Sequence, residues 1–238
     1  MLEKIKRYIQ THIGIDENRK WIQEVYWGQK FSFAIKNSQW LIKTNFNVGD
    51  WALGFPALYI LYRVLNNTKP KSIIEFGLGE STKMTYQYIQ SFPNAKLQII
   101  EQNQEWFDFF VRENYDVTIN VKILPLDKKI IEGHETNVYS NLIENISGQK
   151  YDFVLIDGPL GSPYFSRSQL IDIVEYDLLE KDFVILLDDY NRAGEQQTVA
   201  KCLDLLSKKS ITYHTGTYRG NKSMIIICSG KYQYLKSL

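Results

Sequence analysis

The sequence has few residues of the kinds that mark secreted, membrane or nucleic-acid-binding proteins. Only two of its 238 residues are cysteines. Cys202 and Cys228 lie in apolar stretches, which argues against a disulfide framework and predicts a reduced, cytoplasmic setting. Lys and Arg number 28 against 27 Asp and Glu, so we expect no nucleic acid partner, since duplex binding usually needs a basic face. No apolar run approaches the ~20 residues that span a bilayer, and the charged N-terminus does not resemble a signal peptide.

Several catalytic signatures are also missing. The three histidines, His12, His134 and His214, have no partner at metal-ligand spacing. The sequence has neither a G-x-S-x-G elbow nor a G-x-x-x-x-G-K-[ST] loop, which argues against acyl transfer and P-loop chemistry. Apolar residues make up 44% of the chain and aromatic residues 14%. This composition suits one well-filled α/β domain with an appendage.

From residue 70 onward, strand-like and helix-like stretches alternate. The predicted strands are Ser72–Phe76, Leu97–Glu101, Val121–Leu124, Phe153–Asp157 and Phe183–Leu187. The predicted helices are Thr82–Gln90, Gln104–Glu113, Val138–Ile146, Ser168–Leu179 and Gln196–Ser207. This alternation predicts a parallel sheet covered on both faces. A short turn joins Ile211–Thr217 to Lys222–Ser229, so these two strands must be antiparallel. We therefore predict an α/β, Rossmann-like sheet of seven strands that ends in an antiparallel hairpin.

The first 69 residues differ from the rest and are predicted to form an N-terminal helical and aromatic extension. The predicted division is a cap or lid at 1–69, a main domain at 70–230 and a tail at 231–238. Local patterns predict helices at 2–11 and 56–65, a polar break at 16–18, and strands at 31–36 and 39–44. The segment contains Trp21, Trp27, Trp40 and Trp51. These aromatic residues suit a packed cap, a sugar-stacking surface or a contact within a homo-oligomer.

A glycine turn follows the first predicted strand. The stretch reads Ser72-Ile73-Ile74-Glu75-Phe76-Gly77-Leu78-Gly79-Glu80-Ser81-Thr82, and Glu101 closes the next apolar run. Glycines allow a tight turn and a close approach of the backbone to a ligand, and the helix that follows offers unpaired N–H groups. An acid after the second strand is placed to accept hydrogen bonds from ribose hydroxyls. The pattern predicts a nucleoside-containing cofactor, with an ordinary strand-to-helix turn as the alternative.

The spacing of this motif separates two classes of cofactor. A dinucleotide fingerprint needs glycine where the chain has Thr82. The acid-x-Gly-x-Gly pattern and the terminal hairpin instead resemble class I S-adenosylmethionine-dependent methyltransferases, with Ser81 in place of the usual third glycine. The resemblance implies that the turn wraps the amino-acid end of S-adenosylmethionine and that the second acid holds its ribose. The implied cofactor-binding residues are Glu75, Gly77, Gly79, Ser81, Glu101 and Asp127, the last shortly after strand three.

Three aspartates follow the fourth and fifth predicted strands, namely Asp157, Asp188 and Asp189. Neighbouring strands lie ~4.8 Å apart, so the three carboxylates should converge where open α/β sheets bind ligands. Like charges disfavour joint ionisation, and a divalent cation such as Mg²⁺ or Mn²⁺ would relieve this repulsion. We predict a metal site, with Asp157 or Asp189 as the base that deprotonates the acceptor. The alternative is that these aspartates only cap turns or face solvent.

The same stretches carry a more specific resemblance. An Asp after strand four and Asp-Asp-Tyr after strand five resemble the metal-dependent sugar O-methyltransferases of the macrocin type, in which three aspartates hold the metal. A second resemblance is to the plant family that methylates glucuronic acid in xylan. Its motif order is matched by Asp157, Pro159, Arg167, Arg192 and Glu195. That family has His-Asp after strand five where this chain has Asp188-Asp189, which leaves the base open.

Substrate contacts usually arise from loops at this rim, and Arg167 and Tyr164 lie in a Gly/Pro/Ser-rich loop after strand four. The planar donor groups of Arg167 and Arg192 are suited to a carboxylate or phosphate. We therefore predict that Arg167, Arg192 and Tyr164 bind the acceptor, a small molecule or glycan with an anionic group. The resemblances imply a metal-dependent O-methyltransferase that acts on a sugar or glycan. An NAD(P)-type oxidoreductase and a non-catalytic module in glycan assembly are the alternatives.

Overall fold

A computed structural model describes residues 2–49, 52–113 and 120–238, with side chains described from residue 14 onward. Trp51 lies outside these ranges. The helices are α1 (Leu2–Ile35), α2 (Phe55–Thr68), α3 (Glu80–Ser91), α4 (Gln104–Glu113), α5 (Leu142–Ile146), α6 (Gln169–Glu175) and α7 (Ala193–Lys208), and a 3₁₀ helix follows at Gly230–Ser237. The strands are β1 (Ser72–Phe76), β2 (Lys96–Glu101), β3 (Val121–Ile123), β4 (Leu126–Ile131), β5 (His134–Tyr139), β6 (Tyr151–Ile156), β7 (Leu179–Leu187), β8 (Tyr213–Arg219) and β9 (Ser223–Ser229). Within the described ranges, no helix is long and apolar enough to cross a membrane.

The predicted seven-stranded sheet is confirmed. Its strand order is β3-β2-β1-β6-β7-β9-β8, with parallel pairing from β3 to β7 and antiparallel pairing of β9 with β7 and β8. The first connections run outward from β1 to β3, and the chain then returns to β6 on the other side of β1. The carboxyl ends of β1 and β6 therefore lie side by side at the point where the strand order reverses, which is where such sheets bind ligands.

The central strands are buried on both faces, as their largely apolar runs predict. Successive residues alternate between two cores. Ile73 and Phe153 belong to the core under α2 and α3, whereas Ile74 and Val154 belong to the core under α6 and α7. Successive side chains of a β-strand point to opposite faces of the sheet, so each strand contributes residues to both cores.

The N-terminal extension packs directly on this domain. The apolar face of α2, from Ala57 to Leu65, is buried in the same core as β1 and β6. Phe31 of α1 and Trp40 of the following segment also join that core. Residues from the predicted cap therefore supply one helical layer of the main domain. At the other end, Leu235 of the 3₁₀ helix is fully buried, and its carbonyl accepts a hydrogen bond from the Tyr218 hydroxyl.

Two local predictions for the extension were wrong. The structure continues α1 through the predicted polar break at 16–18 and on to Ile35, and it has no strand at 31–36 or 39–44. Trp27, Phe31 and Ile35 recur every four residues, so one helical face carries all three into the core. β-Branched and aromatic residues favour strands on local pattern alone. In this segment, packing against the core determines that they form a helix.

The region between β3 and β6 also differs from the prediction. Residues 138–146 were predicted as one helix, but β5 ends at Tyr139 and α5 begins at Leu142. β4 and β5 form a separate two-stranded antiparallel sheet, with Ile131 opposite His134 across the turn. β4 is largely exposed and β5 is mostly polar, so the two strands lack the apolar signal of the main sheet. Similarly, the helix predicted at 168–179 ends at Glu175, and β7 begins at Leu179.

Candidate active site

The glycine turn lies at the reversal point of the sheet. Gly77 has a φ of +95°, a conformation that glycine adopts without the strain of other residues. A side-chain carbon at Gly77 would lie 2.9 Å from the backbone nitrogen of Gly158, at the end of β6. Gly79 is extended and faces open space, because nothing lies within 4 Å of the position of a side-chain carbon there. One glycine thus permits close packing of two loops, and the other leaves room above the turn.

Glu75 is a buried anchor for the first turns of α3. Its carboxylate accepts hydrogen bonds from the hydroxyls of Ser81, of Thr82 at 3.0 Å and of Thr85 at 2.7 Å. Burial raises the pKa of Glu75 to about 7, although the hydrogen bonds from Ser81, Thr85 and Thr82 act in the opposite direction. The buried hydrogen bond between Glu75 and Ser81 therefore joins the end of β1 to the start of α3.

Glu101, at the end of β2, orders the backbone on the other side of the turn. One carboxylate oxygen, Oε2, accepts the N–H of Leu78 at 2.9 Å. The other, Oε1, accepts the N–H groups of Gln102 at 2.7 Å and Asn103 at 2.9 Å. A carboxylate offers about four lone-pair sites, so these three bonds leave one site for a ligand hydroxyl. The Trp106 indole closes the turn from the side of α4 by donating to the Leu78 carbonyl at 2.6 Å.

The structure brings together the three aspartates after β6 and β7. Ligand oxygens of Asp157, Asp188 and Asp189 all lie within 4.8 Å of one another. Asp189 Oδ1 and Asp188 Oδ2 are buried without a hydrogen-bond partner, and the Asp157 side chain is 22% exposed. Each aspartate therefore has a carboxylate oxygen that is available to bind a ligand shared by all three. This arrangement fits a hard cation with oxygen ligands.

The aspartate cluster is under electrostatic stress without such a cation. Burial, followed by the charge of Asp188, raises the pKa of Asp157 to about 8. Burial and the charge of Asp189 raise the pKa of Asp188 to about 6. Asp189 itself has a φ of +59°, a conformation that is uncommon outside glycine and is often found at functional sites.

Arg167 lies within the cluster and not on the open side where we predicted a contact with the acceptor. Its side chain is 4% exposed, and its Nη2 is 2.7 Å from Asp189 Oδ2 and 3.4 Å from Asp157 Oδ1. Its Nη1 donates to the Asp188 carbonyl at 2.8 Å. A guanidinium enclosed in this way neutralises part of the aspartate charge and has little surface left for a substrate. The structure therefore argues against Arg167 as an acceptor ligand.

The other predicted acceptor and rim residues occupy different positions. Arg192 is half exposed, and its Nη1 contacts Asp189 Oδ2 at 3.0 Å, so its remaining donors can face a substrate. Tyr164 is 44% exposed and stacks on the His134 ring at 4.0 Å, against the β4–β5 hairpin. Asp127 is an exposed residue of β4, so it lies outside the parallel sheet.

The site includes functional candidates that the sequence predictions did not identify. The Tyr139 hydroxyl is buried without a partner, and a side-chain carbon at Gly158 would lie 3.0 Å from it. Burial and then the charge of Glu101 raise the pKa of Tyr139 well above its usual value, so the hydroxyl keeps its proton. The sequence predicted a helix at 138–146, so it did not indicate that Tyr139 lies at the end of a strand beside the site. Glu195, which already matched the motif order of the plant family in the sequence, is 1% exposed, and its Oε1 lies 3.8 Å from Arg167 Nε.

Lys222 is another such candidate, and a sequence signal for it existed. It lines a small space together with Asp188, and its charge lowers the pKa of Asp157 and Asp188 against the dominant effect of burial. β9 runs antiparallel to β7, so β9 must begin at the rim where the parallel strands end. A residue in the turn before β9 is therefore placed beside the aspartates.

Comparisons with known proteins give a likeness of fold. Neither a family nor a curated protein matches the sequence. Among solved structures, the O-methyltransferase TomG from Streptomyces achromogenes, involved in tomaymycin synthesis and solved with S-adenosylmethionine, is similar with a TM-score of 0.54 and 15% identity, over 90% of this chain and 99% of that one. The methyltransferase PaMTH1 from Podospora anserina, bound to S-adenosylhomocysteine, has a TM-score of 0.51 and 14% identity, over 85% and 87% of the two chains. An O-methyltransferase from Bacillus cereus, also with S-adenosylhomocysteine, has a TM-score of 0.50 and 14% identity, over 87% and 90%. The chain therefore has the fold of class I S-adenosylmethionine-dependent O-methyltransferases.

Proposed function

We propose that this protein transfers the methyl group of S-adenosylmethionine to a hydroxyl of a sugar or glycan, with the help of a divalent metal. The observation that carries the proposal is the placement of two sites at one rim. The glycine turn with Glu101 lies on one side of the strand reversal, and the Asp157, Asp188 and Asp189 cluster lies on the other. The two sites meet where Gly77 packs on Gly158.

The cofactor half of the proposal rests on the open space above Gly79 and on the remaining acceptor site of Glu101. We assign the ribose to Glu101 and the amino-acid end to the turn from Gly77 to Gly79. Glu75 and Ser81 act as positioning residues because the Glu75 carboxylate is already hydrogen-bonded to α3. Asp127 stays a prediction for the outer part of the site.

The metal half rests on the partnerless oxygens of Asp188 and Asp189 and on the raised pKa values of Asp157 and Asp188. Asp188 and Asp189 would hold Mg²⁺ or Mn²⁺, and Asp157, the most exposed of the three, would share the ion or accept the acceptor's proton. When bound, S-adenosylmethionine supplies an activated methyl group, and the cation lowers the pKa of the acceptor hydroxyl. Arg167 fixes Asp189 in position from below, and the rim orients the acceptor for in-line attack.

The acceptor is the least constrained part of the proposal. A sugar or glycan follows from the resemblance of the Asp157 and Asp188-Asp189 stretches to sugar O-methyltransferases. The partly exposed Arg192 beside Asp189 keeps guanidinium donors that can face a polar group of that acceptor. We further propose that the extension over residues 1–69 covers the acceptor, because its α1 reaches the turn between β8 and β9. There the Trp27 indole donates to the Arg219 carbonyl at 2.9 Å.

Calorimetric titration with S-adenosylmethionine tests the cofactor class. We expect saturable binding by the wild-type protein and at least tenfold weaker binding by Glu101→Gln, because the variant loses charge-assisted acceptance of the ribose hydroxyl. Glu105→Gln is the matched control, since Glu105 is an exposed acid on the neighbouring helix. Absence of binding by the wild-type protein, with Mg²⁺ or with a chelator, would remove the methyltransferase proposal.

Release of S-adenosylhomocysteine in a screen of sugars tests the reaction and the metal. We expect turnover to require Mg²⁺ or Mn²⁺ and to be lost in Asp189→Asn. Wild-type turnover of Asp189→Asn at saturating metal would overturn the metal assignment while leaving the cofactor assignment intact.

A further inference from the structure

A cavity opens beside the aspartate cluster, between α1, the start of α2 and the turn from β8 to β9. Its volume is about 250 Å³, and its walls include Trp21, Val48, Phe55, Asn221 and Lys222. Cavities of ~150 Å³ already hold a benzene ring, so a single six-membered ring fits here. We call this cavity the α1 groove.

The floor of the α1 groove is the carboxylate of Glu24, which is fixed in place. Glu24 Oε2 accepts the N–H of Phe55 at 3.0 Å, and Oε1 accepts the N–H of Asn221 at 2.8 Å. A side-chain carbon at Gly54 would lie 2.9 Å from the same carboxylate. Glu24 thus joins three chain segments into one wall, and its oxygens are engaged by backbone donors.

Lys222 connects the groove to the aspartates. It lines both the α1 groove and the smaller space that Asp188 also lines. Its Nζ donates to the Ala52 carbonyl at 3.0 Å, and an ammonium group has three donors. Among the residues that the structure describes, no carboxylate forms an ion pair with Lys222. The Lys222 ammonium group, which has further N–H donors available, therefore lies between the α1 groove and the candidate metal site.

Trp21 provides an aromatic wall whose surface is available. The other described tryptophans of the extension use their indole nitrogens inside the protein: Trp27 donates to Arg219 and Trp40 to Asn66. Trp21 is 62% exposed although it borders the groove. Exposed aromatic faces beside a polar group are typical of sites that stack a planar or sugar ring.

We infer that the α1 groove binds the acceptor as a hydroxylated ring with one anionic substituent. The ring lies on Trp21, the anion contacts Lys222, and the hydroxyl reaches toward the aspartate cluster. This inference rests on the proposed function, because it assigns the acceptor of that reaction. A sugar acid and an aromatic acid share this chemistry, and the experiment separates them.

Four probes test the inference: D-glucuronate, D-glucose, 3,4-dihydroxybenzoate and catechol. Binding is measured by calorimetry on the full chain with S-adenosylhomocysteine and Mg²⁺, and methyl transfer is measured in parallel with S-adenosylmethionine. We expect the anionic member of one pair to bind about tenfold more tightly than its neutral counterpart. A preference within the sugar pair identifies a sugar acid, and one within the aromatic pair identifies an aromatic acid.

Variants separate the groove from the rest of the site. Lys222→Met should remove the tenfold preference for the anionic probe while leaving the affinity for S-adenosylmethionine within twofold of wild type. Lys231→Met is the matched control, because Lys231 pairs with exposed Asp182 outside both the groove and the cluster. Trp21→Ala should weaken both members of the preferred pair equally. Circular dichroism and cofactor affinity establish that each variant is folded.

The inference is overturned if neither anionic probe binds, or if Lys222→Met keeps the full preference. These results are distinct from failure of the proposed function. If the proposed function fails, the wild-type protein does not bind S-adenosylmethionine at all. The cofactor titration alone then decides against it, whatever the acceptor probes show.

Discussion

The metal-free protein should lose stability as pH rises through neutrality. Asp157 and Asp188, with pKa values raised to about 8 and about 6 by burial and by the charge of a neighbouring aspartate, together retain a proton in the folded state. In the unfolded chain both carboxyls have given up their protons above pH 5. Folding therefore takes up a proton, and raising the pH opposes it.

The magnitude follows from the protons held. If the pair keeps one proton across two pH units and the unfolded chain keeps none, the free energy of unfolding falls by ~1.4 kcal/mol per unit, or ~3 kcal/mol in total. Glu75, with its pKa raised to about 7 by burial, acts in the same direction. A bound divalent cation needs the deprotonated acids, so it should restore stability most strongly at the higher pH. At a hundredfold excess over its Kd, the gain is about 2.7 kcal/mol.

Urea unfolding at pH 5.5 and 7.5, with chelator or with Mg²⁺, measures both effects. We expect Asp157→Asn to reduce the pH dependence in chelator, because its amide does not titrate, and to leave the smaller part that comes from Asp188 and Glu75. Asp204→Asn, at an exposed aspartate, should leave the dependence unchanged. Stability in chelator that rises between pH 5.5 and 7.5 would refute the reasoning, and so would a full pH dependence in Asp157→Asn.

Four substitutions, one of them a control, test other parts of the site by urea unfolding. Arg167→Met should destabilise the protein by ~3–5 kcal/mol because it leaves buried carboxylates without their partner; the half-exposed Arg192→Met should cost less than ~1 kcal/mol. Tyr139→Phe should stabilise the ligand-free protein by ~1 kcal/mol, since it removes a buried hydroxyl that has no hydrogen bond. Gly77→Ala should cost at least ~2 kcal/mol, through the positive φ and the contact with Gly158.

Each of these expectations has a clear opposite. Equal effects of the two arginine variants would mean that the buried ion pairs contribute no more than exposed ones. A destabilised Tyr139→Phe would show that the hydroxyl has a partner in solution. A neutral Gly77→Ala would mean that the two loops separate without cost.

The main sheet could be predicted from the sequence because its strands are buried on both faces. Runs such as Phe183–Leu187 are apolar without interruption, and the tight turn before β9 forces antiparallel pairing. The convergence of Asp157, Asp188 and Asp189 followed from strand adjacency alone. Here the local sequence and the tertiary environment require the same conformation.

The predictions differ from the structure where contacts with segments distant in the sequence determine the conformation. The helical course of Phe31 depends on a packing face in α2 and the sheet, which no local pattern reveals. The β4–β5 hairpin has one largely exposed strand and one mostly polar strand, so it shows no apolar alternation. Arg167 could not be predicted as buried, because its counter-charges Asp157, Asp189 and Glu195 come from other elements. A charged side chain becomes compatible with burial only through such partners.

The Glu24 contact has a consequence for how the chain folds. Trp27 meets Arg219 and Glu24 meets Asn221 across sequence separations of 192 and 197 residues. Helix α1 leaves the ribosome long before these partners are synthesised, because about two hundred residues separate them. Contacts of such long range slow folding, and exposed apolar surface in the interval favours aggregation. We therefore expect nascent chains that stop before β8 to lack these two contacts of α1 and to depend on chaperones until the hairpin is complete.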